Sequence, residues 1–170
     1  SIDFDLPEAE ITLDEEGEVE AITASARNDA HRLIEEFMLL ANESVAAELE
    51  RRDVPAIYRI HEPPDPSKVE IFDAFAATLG CRLGAPAAGV QPRHFQQLVD
   101  RVAGTAVERP LAFLMLRTMS QARYDTVNAG HFGLATATYT HFPSPIRRYP
   151  DLVVHRLLRA ARRGEITAGR

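Results

Sequence analysis

Polar and apolar residues alternate from Glu8 to Leu13 and again from Val19 to Thr23, with Asp14-Glu15-Glu16-Gly17 between them. A period of two on either side of a turn-forming run predicts two paired strands. The period then lengthens. Ile34, Met38, Ala41, Val45 and Leu49 recur at steps of three or four, which is the spacing of one helix face. Asn28 or Asp29 can cap that helix, and Arg51 and Arg52 close it at the negative end of its dipole. Leu33, Phe37 and Leu40 widen the stripe and predict a helix buried over most of its circumference.

Ala56 to His61 reads as a short strand, stopped by Glu62-Pro63-Pro64-Asp65-Pro66, where proline can continue neither regular structure. Ser67 and Glu70 form a capping-box pattern for a helix reaching Leu79, with Gly80 ending it. Cys81 to Val90 is small and turn-rich and predicts a loop. Pro92 opens a helix to about Val102, and Pro110 opens another carrying Leu111, Leu114, Met115 and Met119 on one side. From His131 to His141 the residues split into two unlike parities, Phe132, Leu134, Thr136, Thr138 and Thr140 against the rest, which predicts an extended segment. Ser144 and Pro145 open a short helical turn, and Pro150 starts a terminal amphipathic helix through Leu152, Val153, Leu157 and Leu158. No repeat, low-complexity run or domain boundary interrupts the chain. The expected class is α+β, with helices packed on a mostly antiparallel sheet.

At 170 residues, 45% of them hydrophobic, the chain can bury one substantial core. It opens at Ser1 on what already reads as mid-fold, so a piece of a larger domain is expected. Cys81 is the single cysteine, which leaves no internal disulfide and fits a reducing cytoplasm. No basic leader with an apolar core opens the sequence, and no apolar run nears the roughly 20 residues of a membrane span.

The net charge of −6 argues against a nucleic-acid partner until its distribution is considered. Ser1 to Asp29 holds ten acidic residues against Arg27, whereas His141 to Arg170 holds seven arginines against Asp151 and Glu165. That arginine-rich end can face phosphate, or it can be a solvated helix surface. Lys68 is the single lysine.

Within that end, Thr140-His141-Phe142-Pro143-Ser144-Pro145-Ile146-Arg147-Arg148-Tyr149-Pro150-Asp151-Leu152, followed by His155-Arg156, resembles the signature of ribonuclease II and ribonuclease R catalytic (RNB) domains. Arg27-Asn28-Asp29-Ala30-His31-Arg32-Leu33-Ile34-Glu35-Glu36-Phe37-Met38, continuing to Ala41-Asn42-Glu43, is similar to the same family, as is Gly130-His131-Phe132-Gly133-Leu134. Tyr58-Arg59-Ile60-His61-Glu62-Pro63-Pro64 is similar to ribonuclease R-like members. Together these segments span essentially the whole chain and point to the C-terminal portion of such a domain. Pro143 stands where the family usually carries threonine or serine. The family's aspartate cluster, which holds Mg²⁺, would lie before Ser1. Asp3 and Asp5 form only a pair, and Asp14-Glu15-Glu16 sits at a turn, so no metal ligand is expected from this chain.

The resemblance implies a 3′→5′ exoribonuclease that trims single-stranded RNA processively to nucleoside 5′-monophosphates, with no preference for DNA. A guanidinium offers two parallel N–H donors to phosphate oxygens and keeps its charge, and a helix N-terminus favours anions. By resemblance Arg147 is the expected catalytic arginine, with Arg148 next; either can instead pair with Asp151. Glu35 and Asn42 share a helix face. The resemblance implies that Glu35 or Glu36 accepts a ribose 2′-OH, the group that separates RNA from DNA; both can also be plain solvent-facing glutamates. Ser144, Tyr149 and Arg156 complete the expected RNA contacts. Tyr149 and Tyr139 can stack on bases or sit in the core, and Phe142 is expected in the core. His155 is expected to pack or hydrogen-bond beneath the arginine turn. His31 and Glu35 are spaced for a shared ion but lack a third ligand, and Ser144 lacks a paired base.

Two other classes remain open. One is an RNB-like module that binds RNA without cutting it. The other is an acidic helical domain that docks proteins and uses its arginine turn as an ion-pair site.

Overall fold

The computed structural model describes residues 9–24 and 28–166. Asp3 and Asp5 lie outside them. The first two strands form as the alternation predicts: β1 (Ala9–Leu13) pairs antiparallel with β2 (Val19–Ala24), Ile11 opposite Ile22, across the Asp14–Gly17 turn. Asp14 holds that turn by accepting the N–H groups of Glu16 and Glu18.

Helix α1 (Asp29–Arg51) starts where Asn28 accepts the N–H of His31, and Arg51 and Arg52 close it on Glu48. Its burial departs from expectation. Asn42, Ala46 and Leu49 are buried in the second half, while Leu33, Ile34, Phe37 and Leu40 are more than half exposed. The stripe predicted burial correctly only where β3 (Tyr58–Ile60) and α5 (Tyr149–Arg162) reach the helix. There Leu49, Val54, Ala56, Tyr58, Ile60, Val154 and Ala161 form one core, with Phe142 packed against it.

A second core lies among α2 (Pro66–Thr78), α3 (Pro92–Val102) and α4 (Glu108–Thr118). Phe72, Phe95, Leu98, Leu111 and Met115 are its wholly or nearly buried members. Each such side chain contributes roughly 1.5–3 kcal/mol of burial. The start of α2 differs from the capping-box reading: Asp65 is the cap, accepting the N–H of Ser67 at 2.8 Å, with Pro66 in the first turn. Helix α4 likewise begins two residues before Pro110.

Strand β3 joins the halves. One edge pairs antiparallel with β4 (Arg123–Asp125), a three-residue strand too short and polar to show in the pattern. The other edge meets the stretch 130–140, through Arg59 N–H to Tyr139 O (2.8 Å) and His61 N–H to Gly130 O (3.0 Å). The segment from His131 to His141 is not extended throughout, contrary to what its parities led one to expect. A 3₁₀ turn at Phe132–Leu134 interrupts it, and Ala135 takes a left-handed φ of 56° that no ladder accommodates. With five α-helices and two small antiparallel sheets among the described residues, the fold is α+β. No described helix is long and apolar enough to cross a membrane.

Candidate nucleic-acid interface

The stretch before α5 is built to present side chains. Ser144 O accepts the N–H groups of Arg147 (3.3 Å) and Arg148 (3.0 Å), closing a single turn that Pro145 pre-shapes. Pro150 then lets α5 begin at once. Beneath the turn lies Asp151, wholly buried, whose Oδ1 accepts Ser144 N–H at 2.8 Å and an Arg148 N–H at 2.9 Å. A buried carboxylate is tolerable only with such partners. His155 supports the turn from the other side as expected: its ring stacks on Phe142 at 4.0 Å and its Nε2–H donates to Phe142 O at 2.9 Å.

The two arginines therefore differ. Arg148 is committed to Asp151. Arg147 is exposed, and its guanidinium has no hydrogen-bond or ion-pair partner among the described residues. Ile146 is fully exposed on one side of Arg147 and Tyr149 is 70% exposed on the other. The outward rim of the turn thus carries a free cation, an apolar side chain and an aromatic ring.

Asn42, expected to touch RNA, lies inside the protein. It is 3% exposed, with Nδ2–H donating to Tyr139 Oη and Oδ1 accepting Phe142 N–H, both at 2.8 Å. Its amide is spent inside the protein. Tyr139, 6% exposed, is likewise in the interior and not available for stacking. Glu35 and Glu36 are exposed on the first half of α1, and Glu36 lines a shallow pocket with Leu39, Leu40, Glu43 and Leu134. Ser144 spends its N–H and carbonyl on the turn, and its hydroxyl has no hydrogen-bond partner among the described residues. Arg156 is exposed on α5.

Behind the turn runs a row of rings the sequence reading did not foresee. His61, His131, Tyr139, His141 and Tyr124 follow one another with centroids 5.1–5.8 Å apart. Arg59 lies over Tyr124, 4.9 Å from its centroid. His61 is fixed in orientation by its partners: Nε2–H donates to Ser120 O at 2.7 Å and Nδ1 accepts Gly133 N–H at 2.8 Å. Burial, reinforced by His61 and Arg59, pushes His131 down to about 4. Burial and then Arg148 push His141 down to about 4 as well. The signal was the Gly130–Leu134 motif, whose glycines admit this close packing; a Cβ at Gly133 would stand 2.9 Å from His61 Nδ1.

Among the described residues, no three or more histidine, cysteine, aspartate or glutamate side chains group to hold a metal. The donor set among the described residues does not fit a magnesium site.

The RNB domain model matches residues 1–164. The chain belongs to the RNB family. It is 51% identical over 165 residues to ribonuclease R of Aquifex aeolicus, covering 97% of this chain and 23% of that protein. The RNB fold is shared with Mycoplasma genitalium RNase R in its apo form, at a TM-score of 0.91 and 29% identity over 98% of this chain and 26% of that one. That RNase R has also been solved with ribose-methylated single-stranded RNA and with double-stranded RNA. Yeast Ssd1, a pseudonuclease, matches at a TM-score of 0.73 and 26% identity over 83% of this chain and 18% of that one. The chain thus spans between 18% and 30% of the length of these relatives.

Proposed function

We propose that this chain supplies the RNA-gripping part of a 3′→5′ exoribonuclease that hydrolyses single-stranded RNA processively to nucleoside 5′-monophosphates. The observation that carries the reading is the division of labour in the arginine turn. Arg148 is locked on buried Asp151, and Arg147 stands exposed beside it with no partner among the described residues. In this reading Arg147 makes parallel N–H contacts to the oxygens of the scissile phosphate and stabilises charge gathering there. Arg148 acts indirectly, by fixing the turn. Glu35 or Glu36 accepts the ribose 2′-OH, Tyr149 stacks on a base, and Ser144 and Arg156 contact the backbone. Membership of the RNB family and the RNA complexes of the Mycoplasma relative support this assignment. Magnesium belongs to the reading as a cofactor whose ligands come from chain outside the described residues, and the setting is cytoplasmic.

The pseudonuclease relative keeps a second reading alive, in which the same fold binds RNA and does not cut it. One assay separates them. The full-length protein, given 5′-labelled single-stranded RNA and Mg²⁺, should yield a ladder shortening from the 3′ end, and Arg147→Ala should slow it by roughly 10²-fold or more. Wild-type rates in Arg147→Ala would remove the catalytic assignment. RNA retention without cleavage would favour the binding module, and indifference to RNA at every salt concentration would favour a protein-docking domain.

A further inference from the structure

Two parts of the chain far apart in sequence meet at one buried amide. Asn42 lies on α1, and its two hydrogen bonds reach Tyr139 and Phe142, 97 and 100 residues away. Those two residues bracket the last step of chain before the arginine turn. The turn's other anchors are local: Asp151 holds Ser144 from seven residues off, and His155 holds Phe142 from thirteen.

Glu35 and Glu36 sit on the same helix, six or seven residues before Asn42 and so roughly 10 Å along its axis. Apolar packing between α1 and the region below the turn supplies attraction without direction, since burial energy depends on area and not on alignment. A pair of 2.8 Å hydrogen bonds from one planar amide is different. It loses strength when either partner shifts or tilts, and at 3% exposure no water replaces a lost partner cheaply.

We infer that Asn42, with Tyr139, is a positioning pair that sets the reach between the carboxylates of α1 and Arg147, and so the register between ribose and scissile phosphate. The inference rests on the exoribonuclease reading above. Asn42 touches no RNA in it; it acts through the turn it holds.

The test uses the full-length protein carrying Asn42→Ala, Asn42→Asp or Tyr139→Phe, each alone and combined with Arg147→Ala. Single-stranded RNA is the substrate, and melts are recorded alongside. Misplacing a reacting group by an ångström costs on the order of 10²-fold. Asn42→Ala and Tyr139→Phe are expected to lower kcat by roughly 10- to 100-fold while KM stays within about twofold. Asn42→Asp keeps acceptors for both Phe142 N–H and Tyr139 O–H, and should recover most of that loss. In the Arg147→Ala background the same changes should add little, because residues acting through one group are not additive. If Asn42→Ala does not fold, Tyr139→Phe carries the test, as it keeps the ring and the bond to Phe142. A rise in KM with kcat unchanged, or a full further loss on top of Arg147→Ala, overturns the inference. So do normal kinetics in both Asn42→Ala and Tyr139→Phe beside a slow Arg147→Ala, an outcome that leaves the exoribonuclease reading standing. A wild-type rate in Arg147→Ala itself strikes that reading and takes this inference with it.

Discussion

Arg148 and Asp151 form a 2.9 Å ion pair in which the carboxylate is wholly buried and the guanidinium side chain is 24% exposed. The same carboxylate oxygen takes Ser144 N–H, so the pair and the turn are one unit. Removing one partner of such a pair leaves an uncompensated buried charge, which costs about 3–5 kcal/mol.

Neighbouring substitutions should therefore have opposite signatures. Arg148→Ala in the full-length protein is expected to lower unfolding stability by about 3 kcal/mol. Arg147→Ala, at an exposed position with no partner among the described residues, should stay within about 0.5 kcal/mol of the parent while losing activity. Urea denaturation of the two variants side by side decides it. Equal destabilisation would mean that Arg147 is also used internally.

Spacing and charge located these two arginines but did not show which one pairs with Asp151. Charge marked Arg147 and Arg148 alike, the resemblance alone ranked Arg147 first, and Asp151 was one possible partner for either. The choice depended on which side chain lies over the helix axis, a matter of rotamer and not of spacing. Asn42 shows the same limit. It was expected on a face shared with Glu35, but its burial depends on Tyr139 and Phe142 arriving from about a hundred residues away. Local structure was more legible. Asn28, Pro92 and Pro150 act within their own turn, and the elements they begin were predicted to within a residue. The apolar stripe of α1 misled because periodicity reports which face wants burial, not whether a neighbour is there to provide it. Strand β4 was missed because three residues carry no period.

Gly133 is where the ring row is least forgiving. Its N–H donates to His61 Nδ1, and a Cβ would come within 2.9 Å of that atom and 3.2 Å of Cε1. Gly133→Ala should push His61 off Ser120 O and cost about 1–3 kcal/mol. Gly84→Ala makes a contrasting control: nothing lies within 4 Å of its added Cβ, although its φ of +74° adds backbone strain. If Gly133→Ala melts with the parent, the row is looser than these distances imply.

The depressed histidines give a pH dependence of definite sign. His131 and His141 are lowered from the usual 6.5 to about 4 in the folded protein. Between those values the unfolded chain binds protons that the folded one refuses, so stability rises with pH across this window. It is fully present above about 6.5 and lost progressively as pH falls towards about 4. Melts from pH 7.5 to 4.5 should show this slope, and His131→Gln should flatten it. A slope unchanged by His131→Gln would assign the acid sensitivity to other groups.

Arg156 tests the phosphate-facing side of α5 without touching the turn. It is exposed, and no hydrogen bond or ion pair occupies its guanidinium among the described residues. Replacing it should leave the melt unchanged. Binding to single-stranded RNA is another matter, because each phosphate neutralised releases condensed counterions. The slope of log affinity against log salt is about −0.7 per phosphate contact on a single strand. Arg156→Gln should therefore make the full-length protein's slope shallower by about 0.7, weaken binding most at low salt, and do so for every RNA sequence alike. An unchanged slope would put Arg156 outside the RNA path. A steeper loss confined to certain sequences would mean that it reads bases, a role its position on an exposed helix face does not predict.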